Sequence, residues 1–317
     1  MADVKTLEIV SPGPLTTIQD LGRFGFGRYG VPPSGALDSF SLRVGNLLVG
    51  NQEGAACLEI TLMGLVVRAL EDMILAVTGA DLAPQINGNV VAMWCSRLIK
   101  KGEQLSFRRP KSGCRAYLAV GGGISVPHIM ESKATNLGAG FGGLDGRFLR
   151  KGDILTSVSP HFHLGVAGRF LAPEWVPRYL SDVLIRIIPG PQDNHFPSSS
   201  WNTFLTTPYK VTGHADRTGI RLAGAAIGTK TGLKGSILSE GVVPGAIQIP
   251  GNDQPIIILN ETVTGGYRKI ATVISADLPL LGQLKPGDTV RFVRVSIQEA
   301  QSAFMGIEDI IAGLKDE

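Results

Sequence analysis

Cysteine is scarce in this sequence. Three residues of this type, Cys57, Cys95 and Cys114, occur among 317. Their number is odd and no Cys-x-x-Cys spacing is present, which argues against a disulfide framework and against a cysteine-rich zinc site. We therefore expect buried thiols in a reducing compartment.

Long apolar runs are also missing. A membrane-spanning helix needs about 20 consecutive apolar residues, whereas a typical run here, residues 73–77, begins after Asp72 and ends at Thr78. The start of the chain includes Asp3 and Glu8 and has no apolar core of the kind that signal peptides contain. The sequence thus predicts a cytoplasmic protein with no membrane partner.

Charge of one sign does not dominate the chain. The formal net charge is +3, and the Lys and Arg residues are scattered rather than clustered. Because nucleic-acid binding requires basic side chains gathered into a patch or stripe, we expect no nucleic-acid partner.

Glycine and proline, by contrast, are abundant, with 41 and 19 residues. Most apolar runs are short and end at Gly, Pro, Asn or Asp, which is the pattern of strands joined by tight turns. Few runs alternate with long helical patterns, so β-barrels or sandwiches are favoured over a doubly wound α/β sheet. Domains usually contain roughly 100–200 residues, so this length predicts two of them.

Two segments have helical patterns. Apolar residues from Leu37 to Leu48 recur at helical spacing, and Gly50 would end that helix. Near the end of the chain, Ser296 and Glu299 match a capping box and predict a closing helix after them.

An internal repeat predicts that the two domains are duplicates. Residues 7–14 resemble residues 185–191, and residues 99–107 resemble residues 284–292 in the same order. The second pair contains a Gly-Glu or Gly-Asp turn, and a third such turn follows Arg150. We place the boundary in the proline-punctuated linker, which gives domains at residues 1–175 and 176–317.

Two glycine-rich segments resemble nucleotide-binding loops but lack features that such loops require. Residues 138–143 fit Gly-x-Gly-x-x-Gly, but a loop sequence follows where a dinucleotide fold needs a helix. In residues 224–231, Thr229 separates the glycine and lysine that a P-loop requires to be adjacent. We expect no nucleotide loop of either kind in this chain.

Metal and triad chemistry have little support. His161 and His163 would share a face of a strand, but no third ligand lies near them in sequence, so we predict no metal site. His214 is close to Asp216, but no Gly-x-Ser-x-Gly elbow accompanies them.

Polar groups concentrate instead in four loop segments rich in Gly and Pro. Loops held by a rigid barrel are where sites usually lie. The amides of Gly265 and Gly266 would stabilise an oxyanion. Arg23 or Arg217 would bind a carboxylate with two hydrogen bonds, and Asp216 or Glu240 would act as a general base. The alternative for each Arg is a structural loop contact. The segments are residues 16–23 with 30–38, 189–193, 214–219, and 239–250 with 264–267.

These motifs resemble the biotin-dependent carboxyltransferase-like family, which includes the C subunit of 5-oxoprolinase, the KipI antagonist and allophanate hydrolase subunit 2. The resemblance covers about residues 4–296. It rests on residues 11–13, 16–23, 30–38, 58–61, 78–82, 115–120, 141–143, 189–193, 238–248 and 264–267.

The resemblance implies a fold, a reaction and partners. The fold would be all-β, with two tandem cyclophilin-like β-barrel domains and a few short helices. The chain would be one component of an ATP-dependent 5-oxoprolinase that opens 5-oxo-L-proline to L-glutamate with a KipI-like B subunit and a LamB/YcsF-like A subunit. One alternative is a carboxyltransferase acting on urea or a related amide, with carboxybiotin carried by another protein. The other is a regulator that binds a KipI-like kinase inhibitor.

The sequence departs from the family at the last of these loops. The family usually reads Asp-Arg-Gln-Thr-Thr-Gly-Gly-Tyr-Pro there, whereas this chain has Asn260 and Glu261 for the Asp and Arg, and Arg268 for the Pro. Ala215 stands where the family usually has Ser.

We predict site residues from these loops and this resemblance. Asp216, Glu240 and Gln248 would orient or activate the substrate. The residues predicted to bind it are Gln192, Arg217, Thr264, Gly265, Gly266, Tyr267, Arg23, Ser34 and Asp38.

Overall fold

A computed structural model describes residues 3–158, 165–233 and 236–316. Contacts group these residues into two units. Unit 1 contains the described residues up to Phe24, Ser34–Tyr179 and those from Asp309 onwards, and unit 2 contains Gly25–Pro33 and Leu180–Glu308. The domain boundary at residues 175 and 176 stays a prediction.

Unit 1 is built from two antiparallel sheets. One has the strand order β11-β1-β4-β9-β6-β7 and the other β2-β3-β10-β5-β8. The strands are β1 (Asp3–Pro12), β2 (Leu15–Gln19), β3 (Cys57–Thr61), β4 (Leu65–Ala69), β5 (Met73–Asp81), β6 (Pro84–Ile86), β7 (Asn89–Val90), β8 (Ser96–Ile99), β9 (Gln104–Phe107), β10 (Ser112–Val120) and β11 (Ile154–Val158).

The predicted first helix is confirmed as α1 (Ser39–Leu48). It begins at Asp38, whose carboxylate accepts hydrogen bonds from the backbone N–H of Ser41 at 2.9 Å and from its hydroxyl at 2.6 Å. Such a cap satisfies a donor that the first turn leaves without a partner. The helix buries Val44 and Leu48, and Gly50 follows it with a φ of +78°.

Unit 2 is a closed barrel with the strand order β12-β19-β16-β17-β14-β13-β20. Its strands β15 and β18 lie outside the barrel and pair with each other in a two-stranded ribbon. The strands are β12 (Asp182–Pro189), β13 (Tyr209–Ala215), β14 (Gly219–Ala223), β15 (Glu240–Gly241), β16 (Ala246–Ile249), β17 (Ile256–Ile258), β18 (Thr264–Gly265), β19 (Arg268–Val273) and β20 (Thr289–Arg294). The all-β prediction is confirmed.

Three further helices follow in the chain, α2 (Ser198–Thr206), α3 (Leu278–Leu281) and α4 (Ile297–Asp316). The predicted capping box opens α4. Glu299 N–H donates to the Ser296 hydroxyl at 3.1 Å, and Ser296 N–H donates to the Glu299 carboxylate at 2.7 Å. Within the described ranges, no helix has both the length and the apolar character needed to cross a membrane.

The Gly-acid turns of the repeat share one geometry. Before β20, the carboxylate of Asp288 accepts the Lys285 N–H at 3.0 Å, and Gly287 has a φ of +92°. The left-handed φ favours glycine, and the carboxylate fixes the turn by binding an amide three residues earlier. The same bond and a positive glycine φ occur at Gly102-Glu103 before β9 and at Gly152-Asp153 before β11.

Candidate functional site

A pocket of about 520 Å³ lies in unit 2, on the outer surface of the barrel. Most of its lining comes from the third and fourth loops predicted from the sequence and from the strands beside them. The lining residues are Gly213, His214, Ala215, Asp216, Thr218, Gly219, Arg221, Gln248, Ile256, Ile258, Thr262, Thr264, Gly265, Gly266 and Tyr267.

Strand register explains why these side chains share one surface. Arg221 is paired with Ile256, and Ile256 is paired with Gln248, across three neighbouring strands. Paired residues on neighbouring strands point to the same face of a sheet. Their chain neighbours Ile220 and Ile257 point the other way and are buried in the barrel. Arg221, Ile256 and Gln248 therefore form one row on the outside of the barrel, which we call the outer row.

The ribbon holds Gln248 against the pocket wall. Glu240 of β15 pairs with Gly265 of β18, and a Cβ atom on Gly265 would lie 2.1 Å from Gln248 Nε2. Only glycine leaves room for the amide in this position. Gln248 is 4% exposed, and its Nε2 has no hydrogen-bond partner among the described residues. A buried donor without a partner costs about 1–3 kcal/mol, so this nitrogen is suited to a ligand oxygen.

A lysine that the sequence reasoning missed completes a charged cluster beside the pocket. Lys269, which is paired with Gln248 in the barrel, has a side chain that is only 5% exposed. Its Nζ lies 2.6 Å from Glu240 Oε1, which also accepts the Gln192 amide at 2.7 Å. The hydrogen bonds from Lys269 and then Gln192 lower the pKa of Glu240. Glu240 therefore holds a negative charge beside the buried lysine at neutral pH.

Asp216 is held in place by its own turn. Its Oδ1 accepts the backbone N–H groups of Thr218 at 2.7 Å and Gly219 at 3.0 Å. The side chain is exposed at the pocket. A carboxylate fixed by two amides in this way is oriented without being buried.

Arg217 already has a carboxylate partner. Its Nε and Nη2 each lie 3.1 Å from Glu261 Oε1, and the two side chains are 6% and 11% exposed. Arg217 is absent from the pocket lining. Glu261 thus supplies a counter-charge to Arg217 at the position where the family usually has Arg. A role for Arg217 in substrate binding stays a prediction.

The remaining predicted residues of this unit also line the pocket. Thr264, Gly265, Gly266 and Tyr267 form part of its wall, and Tyr267 is exposed. The carbonyl of Gly266 accepts the Ile237 N–H at 2.9 Å, which ties the ribbon to the preceding loop. The structure thus brings Asp216, Gln248 and the Gly265 loop together.

The predicted residues of unit 1 are buried within that unit. Arg23 donates a hydrogen bond to the Ala134 carbonyl and lies 4.7 Å from the centre of the Phe141 ring. Asp38 caps α1, and Ser34 is fully buried. These contacts match the structural alternative for the first loop, and substrate binding by Arg23, Ser34 and Asp38 stays a prediction.

The sequence held a signal for one of the two missed cations, Arg221. Arg221 alternates with the apolar Ile220 and Leu222, and this alternation places it on the outer face of a strand. Lys269 directly precedes the apolar residues Ile270 and Ala271, but its contact with Glu240 depends on a pairing that the sequence does not reveal.

Metal ligation has no support within the described ranges. No group of three or more His, Cys, Asp or Glu side chains is arranged to hold a metal ion in that part of the chain. His161 and His163 lie outside the described residues.

Comparison with known proteins identifies several relatives. The family described as carboxyltransferase domain, subdomain A and B, matches residues 29–294. The chain is 40% identical over 299 residues to the C subunit of 5-oxoprolinase from Escherichia coli, covering 94% of each chain. It is 33% identical to urea amidolyase of Saccharomyces cerevisiae, covering 93% of this chain and 17% of that protein.

A solved structure has the same fold. The crystal structure of the K. lactis urea amidolyase aligns with 99% of this chain at a TM-score of 0.92 and 31% identity. This chain spans 20% of that protein.

Proposed function

The chain belongs to the carboxyltransferase domain family, subdomains A and B, and on this premise we propose that it is one subunit of an ATP-dependent 5-oxoprolinase. The complex would open the lactam of 5-oxo-L-proline to give L-glutamate in the cytoplasm. Its partners would be a KipI-like B subunit and a LamB/YcsF-like A subunit. ATP would be bound with the participation of these partners, because this chain has no P-loop.

The extent of the similarity supports this function over its alternatives. The chain and the C subunit of 5-oxoprolinase cover each other almost completely, whereas the chain matches only a small part of urea amidolyase. A component of matching length suits a complex assembled from separate chains. The observation that carries the proposal within the molecule is the buried Nε2 of Gln248 at the pocket wall, which has no hydrogen-bond partner in the described part of the chain.

The pocket supplies groups for the addition of water to an amide carbonyl. Gln248 Nε2 would donate to the lactam oxygen and stabilise the charge that forms there. Asp216 would accept a proton from the attacking water. The bond between the carbonyl carbon and the ring nitrogen then breaks, and the nitrogen leaves as an amine after it gains a proton. Lys269 and Glu240 would fix the position of Gln192 and the ribbon beside this reaction.

Reconstitution tests the proposal. The purified chain, its two partners and the complete mixture are each assayed for glutamate release from 5-oxo-L-proline, with and without ATP. We expect release only from the complete mixture with ATP. The substitution Gln248→Leu should reduce the rate of glutamate release by roughly a hundredfold, because it removes one hydrogen-bond donor to the oxyanion. A complete mixture that releases no glutamate contradicts the proposed function.

The urea amidolyase relatives favour a second candidate. In this alternative the chain transfers a carboxyl group from carboxybiotin, carried by another protein, to urea or a related amide. The chain itself has no Met-Lys-Met biotin-acceptor motif. Discharge of a carboxybiotin carrier by the purified chain in the presence of urea would support this candidate, and an unchanged carrier would contradict it.

A further inference from the structure

We propose that the outer row of Arg221, Ile256 and Gln248 recognises a lactam that carries a carboxylate, and that Arg221 selects such a substrate against neutral amides. This inference rests on the proposed function and assigns a residue that determines specificity in that same pocket. Arg221 is a residue for which neither the sequence motifs nor the family resemblance gave a role.

The spacing of the outer row fits such a molecule. Neighbouring strands lie about 4.8 Å apart, so the backbone positions of Arg221 and Gln248 are about 10 Å apart with Ile256 between them. 5-Oxo-L-proline carries its carbonyl and its carboxylate on the two carbon atoms that flank the ring nitrogen. Gln248 would donate to the carbonyl oxygen, Ile256 would pack against the ring methylenes, and the long side chain of Arg221 would reach the carboxylate.

Of the three basic side chains Arg217, Arg221 and Lys269, the first and the last are already paired with carboxylates. Arg217 is paired with Glu261, and the buried Lys269 is paired with Glu240. Arg221 is exposed and lines the pocket, and no carboxylate lies within ion-pair distance of it in the part of the chain that the structure describes. Asp216 also lines the pocket, but its Oδ1 is engaged by backbone amides.

This arrangement distinguishes substrates by charge. A guanidinium binds a carboxylate through two parallel hydrogen bonds, and such charge-assisted pairs are about twice as strong as neutral ones. Urea and simple lactams have no carboxylate and gain nothing from Arg221. The residue therefore provides affinity for the acid while Gln248 provides affinity for any amide carbonyl.

Binding measurements on the full chain test the assignment. The probes are 5-oxo-L-proline and 2-pyrrolidinone, which is the same lactam without the carboxylate. The variants are Arg221→Gln, Arg221→Lys and the control Arg109→Gln, an exposed arginine of unit 1 with the same change in charge. Thermal unfolding of each variant reports whether the fold is retained.

We expect Arg221→Gln to weaken the binding of 5-oxo-L-proline by roughly 10- to 100-fold and to leave the binding of 2-pyrrolidinone within about twofold. Arg221→Lys should retain part of the affinity, and Arg109→Gln all of it. Equal losses for both probes, no loss for either, or a wild-type chain that binds neither probe would overturn the assignment.

The reconstituted complex separates this inference from the proposed function. If the wild-type complex releases glutamate and Arg221→Gln leaves its KM unchanged, Arg221 does not select the carboxylate, and the proposed function stands. If the complex releases no glutamate, but binding of 5-oxo-L-proline still depends on Arg221, the function is wrong and the recognition site stands.

Discussion

At position 265 the absence of a side chain decides where Gln248 points. We predict that Gly265→Ala lowers the rate of the reconstituted enzyme by roughly tenfold to a hundredfold, because the new Cβ would lie 2.1 Å from Gln248 Nε2 and displace the amide. Gly265 lies in the ribbon outside the barrel, so the melting temperature should change little. Steady-state kinetics and thermal unfolding are measured together.

The same ribbon provides the control. Gly241 follows Glu240 in β15, the strand that pairs with the strand of Gly265. A Cβ atom on Gly241 would have open space around it. Gly241→Ala should therefore leave the rate unchanged. Equal losses of rate for the two variants would show that the ribbon, and not the position of Gln248, is what the substitution disturbs.

Glu240 gives a prediction about pH. Because Lys269 and Gln192 lower its pKa in the folded state, its contribution to stability is present above its unfolded pKa and is lost as pH falls through the folded value. Glu240→Gln should be less stable than the wild type at neutral pH. This difference in the free energy of unfolding should shrink in acid, below pH 4.5, the ordinary pKa of a glutamate side chain. Urea unfolding at several pH values measures the difference. If the difference in free energy of unfolding stays constant with pH, the ionisation of Glu240 is not its cause.

The Arg217–Glu261 pair should contribute more than a surface pair. Removing one partner of a buried pair takes away most of the compensation of the remaining charge, so Glu261→Ala should reduce the free energy of unfolding by about 3 kcal/mol. The exposed pair Arg291–Asp182 in the same barrel is the comparison, and Asp182→Ala should cost less than about 1 kcal/mol. Chemical unfolding measures both. Similar costs would mean that burial does not distinguish the pairs.

Of the three Gly-acid turns of the internal repeat, the turn before β20 has the most buried carboxylate. Asp288 is 3% exposed and accepts both the Lys285 N–H and its ammonium group. Asp288→Ala should reduce the free energy of unfolding by about 1–3 kcal/mol, because an amide loses its acceptor. Chemical unfolding tests this. Glu103→Ala, at the more exposed equivalent turn of unit 1, should cost less, and the reverse order would contradict the role of burial.

Local signals predicted the elements well. The capping box at Ser296 and the helix between Leu37 and Leu48 were readable because their contacts span only a few residues. The ribbon was not readable, because Glu240 and Gly265 are distant in sequence and both of its strands are two residues long. The pattern of short apolar runs also does not distinguish the two sheets of unit 1 from the closed barrel of unit 2.

The candidate site was predicted in part, for the same reason. Motifs located Asp216, Gln248 and the Gly265 loop because loops carry recognisable residues. Arg221 and Lys269 belong to the site through strand register, which the sequence does not state. For Arg217, the sequence showed a changed neighbour at Glu261 but not that the two side chains are in contact.

At the scale of the whole molecule, the end of unit 1 gives a prediction about where the chain divides. The Tyr179 hydroxyl donates to Asp38 Oδ2 at 2.9 Å and lies 3.0 Å from the Ser41 hydroxyl, all within unit 1. A fragment ending at residue 175 lacks these bonds, whereas one ending at residue 180 keeps them. The longer fragment should be more stable by at least about 1 kcal/mol in urea unfolding.

Tyr179→Phe in the full chain is the matching variant. It removes the hydroxyl and leaves the ring, so it should lose about 1–2 kcal/mol of unfolding free energy. If the two fragments are equally stable and Tyr179→Phe leaves the free energy of unfolding unchanged, the boundary lies at residue 175, as the sequence suggested.

The pocket lies on the outside of a barrel whose interior is filled by other side chains. Substitutions at Arg221 or Gln248 need not disturb Ile220, Ile247 or Ile257, which pack inside. Under the proposed function, a change from one small carbonyl substrate to another would need substitutions at only a few outward positions, with little penalty in folding.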